Sequence, residues 1–267
     1  MSMARLGLVT AALLTATGFA QEIHSDLCLY GCPSGSPSGN DLIIRDFYML
    51  SSNDVTKLAD WAAYVVTSET QGWGVSRENR VYLADPVLHA SETLEPGDYV
   101  GAPSEIGIDR GHLVPLEAFS ATDQWDKLNY LSNITPQGQS LNRGAWWDLD
   151  AQINKTLTRL GPVYVMTGTL YESSRPRLPR SDESHLTPSG YWKIVAMEPY
   201  PGVVAASAVA FPHDTPLRAR YCSDRYWTTV REIERATGLD FFHALSRSKQ
   251  NEIEVDNSTS LRMALGC

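Results

Sequence analysis

The chain has little of what a dedicated nucleic-acid-binding protein or a membrane protein needs. Of 267 residues, 22 are Lys or Arg and 31 are Asp or Glu, so the formal net charge is −9. A basic surface is the usual footprint of a protein that binds nucleic acid tightly, and it is missing. Beyond about residue 20 no apolar run approaches the roughly 20 residues of a spanning helix. Internal repeats, low-complexity linkers and composition shifts are absent, which argues for one domain rather than several. Cysteine is scarce, with four residues, and none of the six histidines stands with cysteine or acidic partners at a recognisable metal-ligand spacing.

The segment Met1-Ser2-Met3-Ala4-Arg5 leads into a mostly apolar stretch from Leu6 to Ala16 and then Gly18-Phe19-Ala20, with small residues where a signal peptidase reads. Residues 1–20 are expected to be a secretory signal, and residues 21–267 one domain, soluble, secreted or in transit through a periplasm, without membrane contact. Losing Arg5 leaves 21 basic against 31 acidic residues, a net charge of −10. The apolar fraction of 43% is enough for a substantial core.

All four cysteines, Cys28, Cys32, Cys222 and Cys267, lie in the exported part. An even count in an exported chain favours two disulfides over a zinc site, with three pairings open. Pairing Cys28 with Cys32 closes a small loop, and pairing Cys222 with Cys267 closes a long one, stabilising by about 3–4 kcal/mol.

β-branched and aromatic content predicts strands over 42–49, 60–67, 131–135, 163–170, 191–196 and 203–211. Helical spacing predicts a short helix over 120–130, a long one from Ser140 to Leu160 stopped by Gly161-Pro162, and an amphipathic one over 228–237 closed by Gly238. Strands and helices mix without βαβ alternation, so the expected class is α+β, a single domain with a central antiparallel sheet flanked by helices.

Three runs carry the chemistry: Asp109-Arg110-Gly111-His112, Ser132-Asn133-Ile134-Thr135-Pro136-Gln137 and Leu141-Asn142-Arg143-Gly144-Ala145-Trp146. Phosphodiester cleavage needs an activated water, charge relief on the phosphoryl oxygens and stabilisation of the leaving alkoxide. The imidazole of His112 titrates near working pH and can take a proton from water, Gly111 can form a turn that presents it outward, and Arg110 can hold a phosphate. Asn142 offers a neutral oxygen, sufficient for magnesium, which keeps most of its waters. Each residue alone has a commoner structural role, a packed histidine or a helix cap.

Together the three runs resemble the secreted DNA/RNA non-specific endonucleases of the Serratia nuclease type, with a ββα-metal active site. The resemblance extends from Cys28-x3-Cys32-Pro33 through Trp61-Ala62-Ala63-Tyr64 and Tyr130-Leu131 to Pro188-x2-Tyr191-Trp192-Lys193 and Gly266-Cys267, nearly the whole exported chain. It implies that His112 is the general base, Asn142 the only direct protein ligand to Mg2+ (Mn2+ being able to substitute), Arg110 and Arg80 the cations that offset developing charge, and Asn133 a supporting polar residue. It implies DNA and RNA as substrates, held through the phosphate backbone without base specificity, and products with 5′-phosphate and 3′-hydroxyl ends. Homodimers occur in the family, and no sequence feature decides the oligomeric state. One departure stands out: eight residues after Asn142 the family has Glu, holding metal-bound waters, and this chain has Asp150. An ideal helix separates these positions by about 12 Å, so Asp150 is expected to act through water with one methylene less reach. The rival readings are a silent relative that only binds, and a phosphodiesterase for small esters. Asn133-Ile134-Thr135, Asn154-Lys155-Thr156 and Asn257-Ser258-Thr259 are also formal glycosylation sequons.

Overall fold

A computed structural model of the chain describes residues 24–72 and 79–267; the expected signal segment lies outside them. In chain order, strands β1 (Asp41–Ile44), β2 (Tyr48–Asn53) and β3 (Leu58–Val66) precede a single helical turn, α1 (Ala102–Glu105). Strands β4 (Ile108–His112) and β5 (Ile134–Gly138) follow, then α2 (Gln139–Asn142) and α3 (Ala145–Thr156). Strands β6 (Val163–Leu170), β7 (Gly190–Tyr200), β8 (Val203–Pro212) and β9 (Trp227–Thr228) precede α4 (Val230–Thr237), α5 (Arg247–Val255) and α6 (Thr259–Ala264). The fold is α+β: seven strands form one antiparallel sheet in the order β1-β2-β3-β6-β7-β8-β9, and β4 and β5 pair as a separate ribbon. No helix of the described residues is long and apolar enough to cross a membrane.

The sheet is apolar on both faces because its central strands are. Along β7, Tyr191 and Val195 point to one side, and Trp192, Ile194 and Ala196 to the other, the period of two that a strand imposes. The first face packs against Trp146, Leu149 and Ile153 of α3. The second is covered by the Cys28–Cys32 segment, Val230 and Ile233 of α4, Phe241, Phe242, and Ile253 of α5. Both disulfides are formed, Cys28–Cys32 and Cys222–Cys267, the latter spanning 45 residues, which removes the zinc alternative.

Several expectations are corrected. The strand expected over 42–49 is two strands, because the chain reverses through Arg45, whose N–H bonds Tyr48 O at 2.9 Å. The helix expected over 120–130 is reduced to 3-10 turns at Leu116–Phe119 and Trp125–Asn129, and the strand expected from Leu131 begins at Ile134 after another such turn. The long helix from Ser140 breaks at Arg143-Gly144. A Cβ on Gly144 would lie 2.6 Å from Leu217 O and 2.7 Å from Ser140 O, so the break places backbone where only glycine fits. Gly111 forms no turn. It is a strand residue of β4, and a Cβ there would lie 2.6 Å from that of Gln137 on β5.

Candidate active site

The ribbon and the two helices that follow it form a ββα unit. In β4, Arg110 and His112 alternate with Asp109 and Gly111, and opposite them in β5 lie Pro136 and Ile134. The end of β4 is fixed from two directions. Trp146 of α3 donates Nε1–H to His112 O at 3.2 Å. Asn133 is fully buried: its Oδ1 accepts from Val114 N at 2.9 Å and its Nδ2 donates to Val114 O and Leu128 O. The amide of Asn133 therefore pins the chain just after His112 and is itself closed to modification once folded.

His112 Nε2 lies 3.2 Å from Asn129 Oδ1. The tautomer with the proton on Nε2 donates to this amide oxygen and leaves a lone pair on Nδ1. The imidazole pKa is pushed down to about 4, chiefly by burial; the Asn129 bond and the charge of Glu117 oppose the shift, and Arg80 adds to it. The ring of Tyr82 stands 6.0 Å from that of His112. Arg110 stacks its guanidinium over Tyr82 and Tyr99, each at 5.1 Å, and donates to Pro96 O at 3.0 Å. Tyr82 and Arg80 reach this end because the chain around Leu83 pairs with residues 129–131, and Asp85 is held there by Arg45 and Ser132.

Asn142, half-buried at the end of α2, donates Nδ2–H to Asp109 Oδ2 at 3.0 Å, which turns its amide so that Oδ1 is the atom left to bind a cation. Asp109 also takes a bidentate pair from Arg143, both contacts 2.7 Å. Among the described residues three groups of closely spaced carboxylates occur, and none includes Asp109, Glu117 or His112. The donor set here fits a hard cation that keeps most of its own waters.

The structure thus gathers His112, Arg110 and Arg80 at one end of the unit and Asn142 at the other. Asp150, on the inner side of α3, is buried and ion-paired with Lys193, which is itself fully buried and 4.2 Å from the centre of the Trp146 ring; the charge of Glu117 reaches both Asp150 and His112. Burial drives both groups of this pair toward neutrality, and each charge holds the other against it. Sequence reasoning left Asn129, Tyr82 and Glu117 unassigned. Glu117 lies 3.6 Å from Arg80. Lys193 carried a signal, a cation at the centre of an otherwise apolar strand, which demands a buried partner.

The sequence matches the family model described as DNA/RNA non-specific endonuclease over residues 24–248. It is 39% identical over 249 residues to a nuclease of Serratia marcescens, covering 92% of this chain and 91% of that protein. It is 28% identical to human mitochondrial endonuclease G, covering 81% of this chain and 73% of that one. The fold superposes on a chain in the solved EndoG/EndoGI complex with a TM-score of 0.67 at 23% identity, covering 85% of this chain and 92% of that one.

Proposed function

Starting from the chain's membership of the DNA/RNA non-specific endonuclease family, we propose that it is an exported endonuclease that hydrolyses both DNA and RNA, using one hydrated Mg2+ for which Mn2+ can substitute. The observation that carries this reading is that His112, its Nε2 committed to Asn129, and Asn142, its Nδ2 committed to Asp109, stand on one ββα unit with each remaining donor atom free for chemistry.

In this reading Nδ1 of His112 takes the proton of the attacking water. A neutral imidazole is needed, and burial keeps it neutral. Arg110 and Arg80 offset charge on the phosphoryl oxygens, and Asn129 and Asn133 hold the base and the chain behind it. Asn142 Oδ1 is the protein ligand for the cation, which when bound supplies charge relief at the phosphate and at the leaving 3′-oxygen. Asp150, already held by Lys193, acts at one remove by anchoring α3 rather than by holding metal-bound water. Products carry 5′-phosphate and 3′-hydroxyl ends. These contacts reach phosphate and not base edges, which accounts for activity on both polymers. The mature protein begins after residue 20 and works outside the cytoplasm.

The test is incubation of the disulfide-intact protein with plasmid DNA and with ribosomal RNA, with and without EDTA, beside His112→Ala. Metal-dependent loss of both polymers that disappears in the variant supports the proposal; intact polymers across several divalent metals overturn it.

A further inference from the structure

A cavity of about 380 Å³ opens beside the ββα unit, at the end of the ribbon away from His112. Its walls include Ile108 and Ser140, so it lies at the end of the ribbon at which Asp109 and Asn142 are also found. Four residue steps along β4 lead from Ile108 to His112, about 13 Å at 3.3 Å per residue. A strand whose scissile phosphate lies at His112 and Asn142 has its flanking units within that reach.

The lining is of two kinds. Ile106, Ile108 and Pro176 offer apolar surface; Ser140 and Arg175 offer donors, while the Thr187 hydroxyl is committed to Pro176 O at 2.7 Å. Arg175 is mostly buried, and among the described residues its Nε has no hydrogen-bond partner and its ion pair is a 3.2 Å contact to Asp214, a largely exposed carboxylate on the rim. His213 is buried at the wall against Gly138, and its burial and the Arg175 charge keep its pKa below the usual value. The cavity therefore presents one cation, half-neutralised by a carboxylate that can swing into solvent, above a surface fit for a flat ring. Its size is at the small end of ligand sites, large enough for one nucleotide and too small for a duplex.

We infer that this cavity is a subsite for one nucleotide of the bound strand, on the Asn142 side of the scissile phosphate, with Arg175 holding that nucleotide's phosphate and the apolar wall its base. The assignment rests on the endonuclease reading. Asp214 competes with the phosphate for Arg175, so the two residues have opposite effects. Single-stranded or locally opened substrate, which can turn a base into the cavity, gains more from it than closed duplex does.

Two measurements test this. Steady-state kinetics on single-stranded DNA compares wild type, Arg175→Ala and Asp214→Asn. KM is expected to rise about five- to tenfold in the first, the effect of one lost charge-assisted contact, and to fall in the second, with kcat moving less than twofold in both. Calorimetric binding of thymidine monophosphate to His112→Ala, with and without Arg175→Ala, reads the cavity without turnover, and thermal melting establishes that the variants are folded. Loss of nucleotide binding with Arg175→Ala supports the subsite even if no polymer is cut. If wild type cleaves but KM stays within twofold in both variants, or nucleotide binding survives the loss of Arg175, the subsite is wrong and the endonuclease reading stands.

Discussion

The two ends of the ββα unit are built on opposite plans. Both functional groups are half-buried, but at the His112 end the ring is tied to a neutral amide, Asn129, and walled by Tyr82; at the Asn142 end the amide is held by a carboxylate, Asp109, which an exposed arginine also engages. In the proposed mechanism the base must stay neutral and must not move, and the ligand to a hydrated cation must present its oxygen to solvent. The contrast teaches that a neutral partner is used where protonation state matters and a charged one where a cation is to be met.

The largest test of this contrast is to remove each group in turn. His112→Ala should lower kcat by about 10²–10⁴-fold, the usual worth of a positioned base, and no metal concentration should restore it. Asn142→Ala should lower turnover at low metal by a smaller factor, and raising Mg2+ or Mn2+ should recover part of it. If metal titration recovers both variants or neither, the division of labour is wrong.

The braces of the two ends differ in the same way. Lys193→Met leaves the Asp150 carboxylate buried and unpaired beneath the helix that holds His112 O, and should cost about 3–5 kcal/mol of stability. Arg143→Ala removes an exposed partner of Asp109 at the Asn142 end and should cost less than about 1 kcal/mol. Thermal or urea unfolding checks both, and equal losses would sink the comparison.

The smallest test is pH. The His112 pKa near 4 places the acidic limb of activity well below the ordinary histidine range. The unfolded chain, with His112 near its ordinary pKa of about 6.5, binds a proton that the folded chain refuses. The stability from the neutral buried imidazole is therefore complete above about pH 6.5 and declines as pH falls toward 4. In His112→Gln that decline should be shallower; an unchanged slope of stability against pH between 6.5 and 4 would assign it to other groups.

The α+β class was legible because it rests on local patterning, and Arg110, His112 and Asn142 were singled out by short runs, Arg80 by the resemblance those runs carry. What was not legible depends on distant neighbours. The break at Gly144 is imposed by Leu217 O, more than 70 residues away. Asn129 gains its role only when the turn at 125–129 folds back on β4, and Asp150 takes its partner from β7. The Asp150 position could be compared with the family pattern, but whether its carboxylate faces the cation or the core is decided by where Lys193 sits.

The burial of Asn133 bears on where the protein can be made. In a secretory pathway that attaches sugars to chains as they emerge, the Asn133-Ile134-Thr135 acceptor is met before β5 has folded, and a glycan there would bar the amide from Val114. Changing the asparagine would abolish the same contacts. The Thr135 hydroxyl, by contrast, is buried beside the Tyr191 hydroxyl, which already donates to Pro136 O at 2.7 Å, and a same-shaped apolar replacement costs the net worth of one hydrogen bond, ~1 kcal/mol. Thr135→Val therefore erases this acceptor at small cost to the fold, leaving the formal acceptors at Asn154 and Asn257 as the remaining ones a glycosylating host would meet.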